Sequence, residues 1–211
     1  MNRTIAIAII AMTAALLAGC TTPEPTPTPS HSASETPSPT PTVGDVAPAQ
    51  DPVPAPASED EAKIAAEKTI NLYLGYLFEF QREPELGADY MRNYVADHAM
   101  ERLIDTAREN LARGMRASGG PIKFSADYAL SYAGQITDTA TGTVYPNSVV
   151  YMIGCGDNSA QMISTNGGEP TPISDTPTFP IQYVVRYTPE LEVWLVIDSQ
   201  SLRGQSGAPQ C

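Results

Sequence analysis

The sequence predicts an α+β domain in which three N-terminal helices pack on a mainly antiparallel sheet of four to five strands. Three observations carry that expectation. Apolar residues recur at three- and four-residue spacing between residues 62 and 111, the period changes to two after Pro121, and the last two apolar runs are joined by four residues, Thr188 to Leu191. Helices gathered before strands, rather than alternating with them, pack as an α+β layer arrangement.

Ser58 and Glu61 form a capping box, S-x-x-E, in which each side chain satisfies a free backbone N–H of the first turn, so the first helix starts there. Along it Ala62, Ala65, Ala66, Tyr73, Tyr76, Leu77 and Phe80 make one apolar stripe. Ile70, Leu74 and Phe78 make a second, which predicts a helix wrapped by the rest of the fold. Pro84 ends it, because proline has no N–H and clashes with the preceding turn. A short amphipathic helix follows with Leu86, Tyr90, Met91 and Tyr94. Asp97 then caps a third helix carrying Met100, Leu103, Ile104, Ala107 and Leu111, which stops at Ser118-Gly119-Gly120-Pro121. Beyond it Ile122, Phe124, Ala126, Tyr128, Leu130 and Tyr132 share one face of a single half-buried strand. A loop over residues 137–143 leads to a strand whose alternating apolar face is Val149, Tyr151, Ile153 and Cys155. Residues 160–164 read as a short strand, and 181–188 with 192–199 as a closing hairpin.

Eleven of the twenty prolines lie between Thr21 and Ser58. That stretch has no Lys, Arg or aromatic residue and buries too little apolar surface to offset the entropy of ordering it, so residues 20–57 read as a disordered or polyproline-like stalk. Its Thr-Pro and Ser-Pro pairs fit either an O-glycosylated stalk or a bare spacer. Fully extended, it would reach on the order of 115 Å.

Ahead of the stalk, Arg3, the apolar run Ile5 to Leu17 and the small residues Ala18 and Gly19 have the tripartite form of a secretory signal peptide over residues 1–19. The run is well short of the ~20 residues of a permanent span. The ending Leu17-Ala18-Gly19-Cys20 resembles the lipobox of bacterial lipoproteins. That resemblance implies that Cys20 carries a diacylglyceryl thioether as the first mature residue and holds the protein at the extracytoplasmic face of the cell membrane. A plain signal peptide cut near Ala18 is the alternative. With Cys20 modified, Cys155 and Cys211 remain as an even pair in an oxidising space, which predicts a disulfide; two free thiols or an intermolecular bridge are the alternatives. A bridge closing about 57 residues stabilises by about 4 kcal/mol in the chain-entropy model.

The charge balance excludes several classes. Twenty-four acidic against 12 basic side chains, a formal charge of −12, argue against any general grip on nucleic acid. Two histidines rule out a multi-histidine metal cage, and neither sits in a catalytic pattern: His31 lies in the stalk and His98 beside a helix cap. Asp157-Asn158-Ser159 lacks the glycine and glutamate of a calcium-binding EF-hand loop and reads as a turn. No catalytic residue, metal ligand or cofactor is expected.

The element order over residues 58–211, a long first helix, two shorter ones and then antiparallel strands, resembles the NTF2-like family, a cone whose helices pack into the concave face of a curved sheet. The lipobox, the Pro/Thr stalk, Cys155 with Asp157 and Ser159 after a strand, and Trp194 in the last strand also resemble uncharacterised actinobacterial lipoproteins. The NTF2-like resemblance implies a pocket inside the cone, for which Tyr76, Tyr90, Tyr128, Tyr183 and Trp194 are the candidate lining residues. Two function classes follow. One is a lipid-anchored surface lipoprotein whose domain binds a cell-wall component or another surface or membrane protein. The other is a pocket enzyme of isomerase or dehydratase type, or a carrier of a small apolar ligand.

Overall fold

The computed structural model describes residues 46–211. The expected signal peptide, the lipidation site Cys20 and the stalk up to residue 45 lie outside the described residues. Helix α1 spans Glu59–Arg82. Ser58 Oγ accepts the Glu61 N–H at 3.2 Å, and the Glu61 carboxylate accepts the Ala57 N–H at 2.8 Å, so the box closes one residue further back than its usual form. Three acidic residues in the first turn complement the helix dipole. The buried residues Ala62, Ala66, Ile70, Leu74 and Phe78 recur every four positions and form the spine of the core.

The second of the three expected helices is absent among the described residues. Residues 84–91 form two 3-10 turns, Pro84–Leu86 and Ala88–Met91. Gly87, at φ 72°, separates them, a left-handed backbone that ends the first turn after one cycle, so the two do not join into an α-helix. Helix α2 spans Asp97–Ala112. Asp97 is its first residue rather than its cap, and its carboxylate instead accepts from Arg186 Nη1 at 2.6 Å. The helix ends at Arg113 before Gly114, whose φ is 55°, well ahead of the expected stop at 118–121. The residues thereby freed form a strand.

Eight strands follow: β1 Met115–Gly119, β2 Lys123–Ala126, β3 Tyr132–Thr137, β4 Val144–Asp157, β5 Gln161–Thr165, β6 Thr171–Pro172, β7 Thr178–Thr188 and β8 Val193–Ser201. They pair into two antiparallel sheets, one in the order β1-β5-β6 and a larger one in the order β2-β4-β7-β8, with β3 also on β4. The expectation of three helices on one sheet of four to five strands, and with it the NTF2-like cone, is therefore corrected. Among the described residues, two α-helices pack against two sheets of three and five strands.

The single strand expected from Ile122 to Tyr132 is broken in two by Asp127, whose carboxylate accepts the backbone N–H groups of Ala129 and Leu130 at 3.0 and 3.2 Å. Such Asx turns offer the backbone an alternative to the ladder. Tyr128 and Leu130 consequently sit in an exposed turn. In β4 the face is opposite to the one read from alternation: Val150 and Met152 are fully buried, while Val149, Tyr151, Ile153 and Cys155 look outward. Residues 149–153 are apolar at both parities, so periodicity alone does not choose a side.

The inner face of the larger sheet, with Val150, Met152, Tyr183, Val185, Tyr187, Trp194 and Val196, packs against α1. Phe124 on β2 reaches across Gly154 on β4. A Cβ at Gly154 would lie 2.8 Å from that ring and 2.2 Å from the Ser125 carbonyl, so the close approach of β2 requires glycine here. On the outer face Tyr132 and Tyr151 stack at 4.7 Å, and Cys155 is bonded to Cys211, with Cα atoms 5.7 Å apart. Thr178 Oγ1 donates to the Cys211 carbonyl at 2.8 Å, fixing the last residues on β7.

Residues 46–57, compositionally the end of the stalk, lie against this domain as an extended arm. Ala47 is buried in the core and Val53 is partly buried against it. No helix among the described residues is long and apolar enough to cross a membrane.

Candidate binding site

The arm is held by backbone groups and one side chain. The Ala47 N–H donates to the Tyr90 carbonyl at 2.9 Å, and the Ala47 carbonyl accepts from Asn93 Nδ2 at 2.7 Å. Six residues on, the Val53 N–H donates to the Glu192 carbonyl at 2.7 Å, and its carbonyl accepts the Tyr187 hydroxyl at 3.0 Å. Between them Gln50 Nε2 donates to the carbonyls of Asn93 and Trp194, each at 2.7 Å. Proline leaves few N–H groups in such a segment, so fixing it through carbonyls and a glutamine amide suits its composition.

Between the arm and α1 lies a cleft of about 320 Å³. The arm residues Pro48 to Asp51 and Val53 form one wall, and α1 supplies Ala65, Lys68, Thr69, Leu72 and Tyr76. Tyr94 and Trp194, each 2 % exposed, close its inner end. The Tyr76 and Tyr94 rings pack at 4.7 Å, and Tyr90 meets Tyr76 edge-on at 6.4 Å. Burial, together with the hydrogen bond to Tyr76, pushes the Tyr94 phenol up to about 12. Lys68 and Asp51 line the walls without an ion-pair partner among the described residues. The cleft thus combines an aromatic end, an aliphatic wall and one charge of each sign.

Two smaller hollows lie elsewhere. One of about 200 Å³ between α1, α2 and β8 is lined by Tyr73, Arg102 and Ser199 among others. There burial pushes the Tyr73 phenol up to about 12, and Arg102 pairs with Asp198 at 2.6 Å. The other, of about 250 Å³, sits at the sheet end beside Asp138, Tyr145 and Arg186.

The five aromatic candidates separate. Tyr76 and Trp194 line the arm cleft, and Tyr90 stands behind Tyr76, presenting its carbonyl to the arm. Tyr183 is a core residue of β7, packed edge-on to Phe124 and Tyr73, and burial raises its phenol strongly. Tyr128 is 41 % exposed in the Asp127 turn and donates to the Glu67 carboxylate, a hydrogen bond that pushes its phenol up to about 12. Residue types did not reveal Tyr94, Asn93 or Gln50 as parts of the site. The one available signal was a glutamine beside prolines, which composition assigns to a solvated stalk.

His98 is exposed on α2 beside Glu101 at 3.1 Å. Asp157 accepts the Ser159 N–H at 2.8 Å and closes a turn. Among the described residues no group of three or more His, Cys, Asp or Glu side chains is placed to hold a metal ion. No family model and no curated protein matches this chain. Among solved structures, it is similar to the intermembrane-space region of the chloroplast protein ARC6, at 8% identity and a TM-score of 0.42, over 66% of this chain and 95% of that one. A likeness of that size carries no argument about function.

Proposed function

We propose that this chain is a lipid-anchored surface lipoprotein that presents a small binding domain on a proline-rich tether. The observation that carries the reading is the pairing of Cys155 with Cys211. Of three cysteines, that bond leaves Cys20 alone, directly after the apolar run and Leu17-Ala18-Gly19. A disulfide belongs to an oxidising compartment, where a lone exposed thiol is a liability that a thioether removes. Two acyl chains anchor far more stably than one, each buried methylene contributing about 0.8 kcal/mol.

Binding is favoured over catalysis by the chemistry of the arm cleft, which gathers Tyr76, Tyr94, Trp194, Lys68 and Asp51 but pairs no nucleophile with a base. Its ligand belongs to the cell wall or to another surface or membrane protein. The test is detergent-phase partitioning of membranes from cells making the wild-type chain or Cys20→Ser. The wild type enters the detergent phase and the variant is found in the aqueous phase; equal partitioning of the two overturns the anchor.

A further inference from the structure

The arm occupies its groove as a ligand occupies a receptor. None of the hydrogen bonds made by residues 47–53 joins them to α1, the element that follows in the chain; all reach Tyr90, Asn93, Tyr187, Glu192 and Trp194, and the bond to α1 is made by Ala57, in the connector. The receptor is therefore complete whichever copy supplies the arm. Recognition is by main-chain groups at Ala47 and Val53 and by the Gln50 amide, on an aromatic-lined surface, the manner in which extended proline-rich peptides are held.

The direction of the arm matters as much as its contacts. Ala47 is bonded at Tyr90, which packs on Tyr76 in the later half of α1, whereas Val53 is bonded at Glu192, at the start of β8. Arm and α1 flank one cleft, so they run antiparallel and the chain reverses between Val53 and Ser58. The reversing segment is Pro54-Ala55-Pro56-Ala57. Both prolines have a fixed φ, and the residues before them, Val53 and Ala55, are biased to extended backbone. The connector thus favours running straight where the docked arm demands a return.

We propose that two copies of this chain exchange arms, each groove holding residues 47–53 of the other copy in a closed, two-fold dimer. Every groove contact is the same in the exchanged and unexchanged forms, so the balance is set by the connector and by concentration. Exchange is reciprocal, which closes the assembly at two chains. A short flexible connector gives an intramolecular effective concentration of about 1 mM. Exchange becomes comparable to self-docking at that protein concentration, and a connector that resists reversal lowers the threshold. The proposal does not depend on the lipid anchor and is tested without it.

The experiment uses the mature chain with Cys20→Ser in two preparations, one also Val53→Cys and the other also Glu192→Cys, positions joined by a backbone hydrogen bond of 2.7 Å. They are mixed at about 1 mM, matched to that effective concentration, equilibrated in a glutathione redox buffer and resolved without reduction. The chain carrying both cysteines is the control for geometry, with Ala47→Cys and Asn93→Cys as the replacement pair if it does not close on itself. Exchange gives a cross-copy disulfide in excess of the Val53→Cys homodimer, in at least about one chain in ten. That product falls several-fold on hundred-fold dilution and several-fold when Pro54 and Pro56 are replaced by glycine. A control that closes within one chain, with mixed product no greater than the homodimer background, overturns the proposal. So does mixed product indifferent to the connector prolines.

Discussion

Replacing Gln50 with alanine removes both hydrogen bonds that its side-chain amide donates, to the carbonyls of Asn93 and Trp194. Each neutral bond of this kind contributes about 1 kcal/mol net, so docking of the arm weakens by about 2 kcal/mol. That is roughly a thirty-fold fall in the docked-to-undocked ratio. The helices and sheets make none of their own contacts through Gln50, so the loss is confined to the arm. Native-state hydrogen exchange reads it directly, because the amides of Ala47 and Val53 are protected only by their bonds to Tyr90 and Glu192. In Gln50→Ala these two amides exchange about thirty-fold faster, while those of Val150 and Val185, buried in the β4–β7 ladder, keep their rates. Trp194 is the single tryptophan and is 2 % exposed, so its emission moves to the red in step as the arm lifts. Unchanged exchange at Ala47 and Val53 would refute the assignment of these bonds. Equal acceleration throughout β7 and β8 would refute the idea that the arm opens separately from the sheet.

Three further outcomes follow from the packing and the titrating groups. Gly154→Ala drives a methyl into the Phe124 ring and the Ser125 carbonyl and lowers stability by about 2 kcal/mol or more, measured as the urea midpoint. Phe124→Leu in the same background recovers part of that loss. Cys155→Ser, or reduction of the bond to Cys211, costs about 4 kcal/mol in the chain-entropy model, seen as a fall in thermal midpoint that is absent when reductant is added to the variant. Burial raises the phenols of Tyr73 and Tyr94 from 10 to about 12, so the folded state holds protons that the unfolded state has released. Their contribution is complete below pH 10 and is lost as the pH rises from about 10 to 12. Ultraviolet titration of folded protein shows at least four fewer tyrosines ionising near pH 10 than titration in denaturant, because the Tyr128 and Tyr183 phenols are raised as well, and Tyr94→Phe removes one of them.

What could be read ahead of the structure depended on whether a signal was local. The start of the first helix at Ser58 is a property of one turn and forms where the sequence places it, with Glu61 reaching the Ala57 N–H, whereas the two apolar stripes along α1 contribute jointly to one buried row, Ala62, Ala66, Ile70, Leu74 and Phe78. The closing strands lie in register across their short connection, and Cys155 lies beside Pro180 close enough for the chain's end to reach it. The losses came where two local signals compete. A helical spacing of Leu86, Tyr90 and Tyr94 is interrupted by Gly87 at positive φ, and the backbone residue wins. The alternation from Ile122 to Tyr132 hides an aspartate that closes its own turn. In β4, apolar side chains at both parities leave the buried face to be decided by α1 and by the approach of Phe124. The cleft was half legible, since Tyr76 and Trp194 are large aromatics on regular elements. Its other wall was not, because proline-rich composition shows that a segment cannot fold by itself and says nothing of a groove already shaped to hold it.

That groove also determines how the domain responds to force. A pull on the chain ahead of Val46 meets the hydrogen bonds at Ala47, Gln50 and Val53 before it reaches the capping box at Ser58. Once those bonds yield, the twelve residues 46–57 pay out as slack, on the order of 40 Å at full extension, before the pull reaches α1 at Ser58. The arm therefore behaves as a sacrificial fuse, absorbing a tug by lengthening and resetting when its proline-rich strand falls back into place.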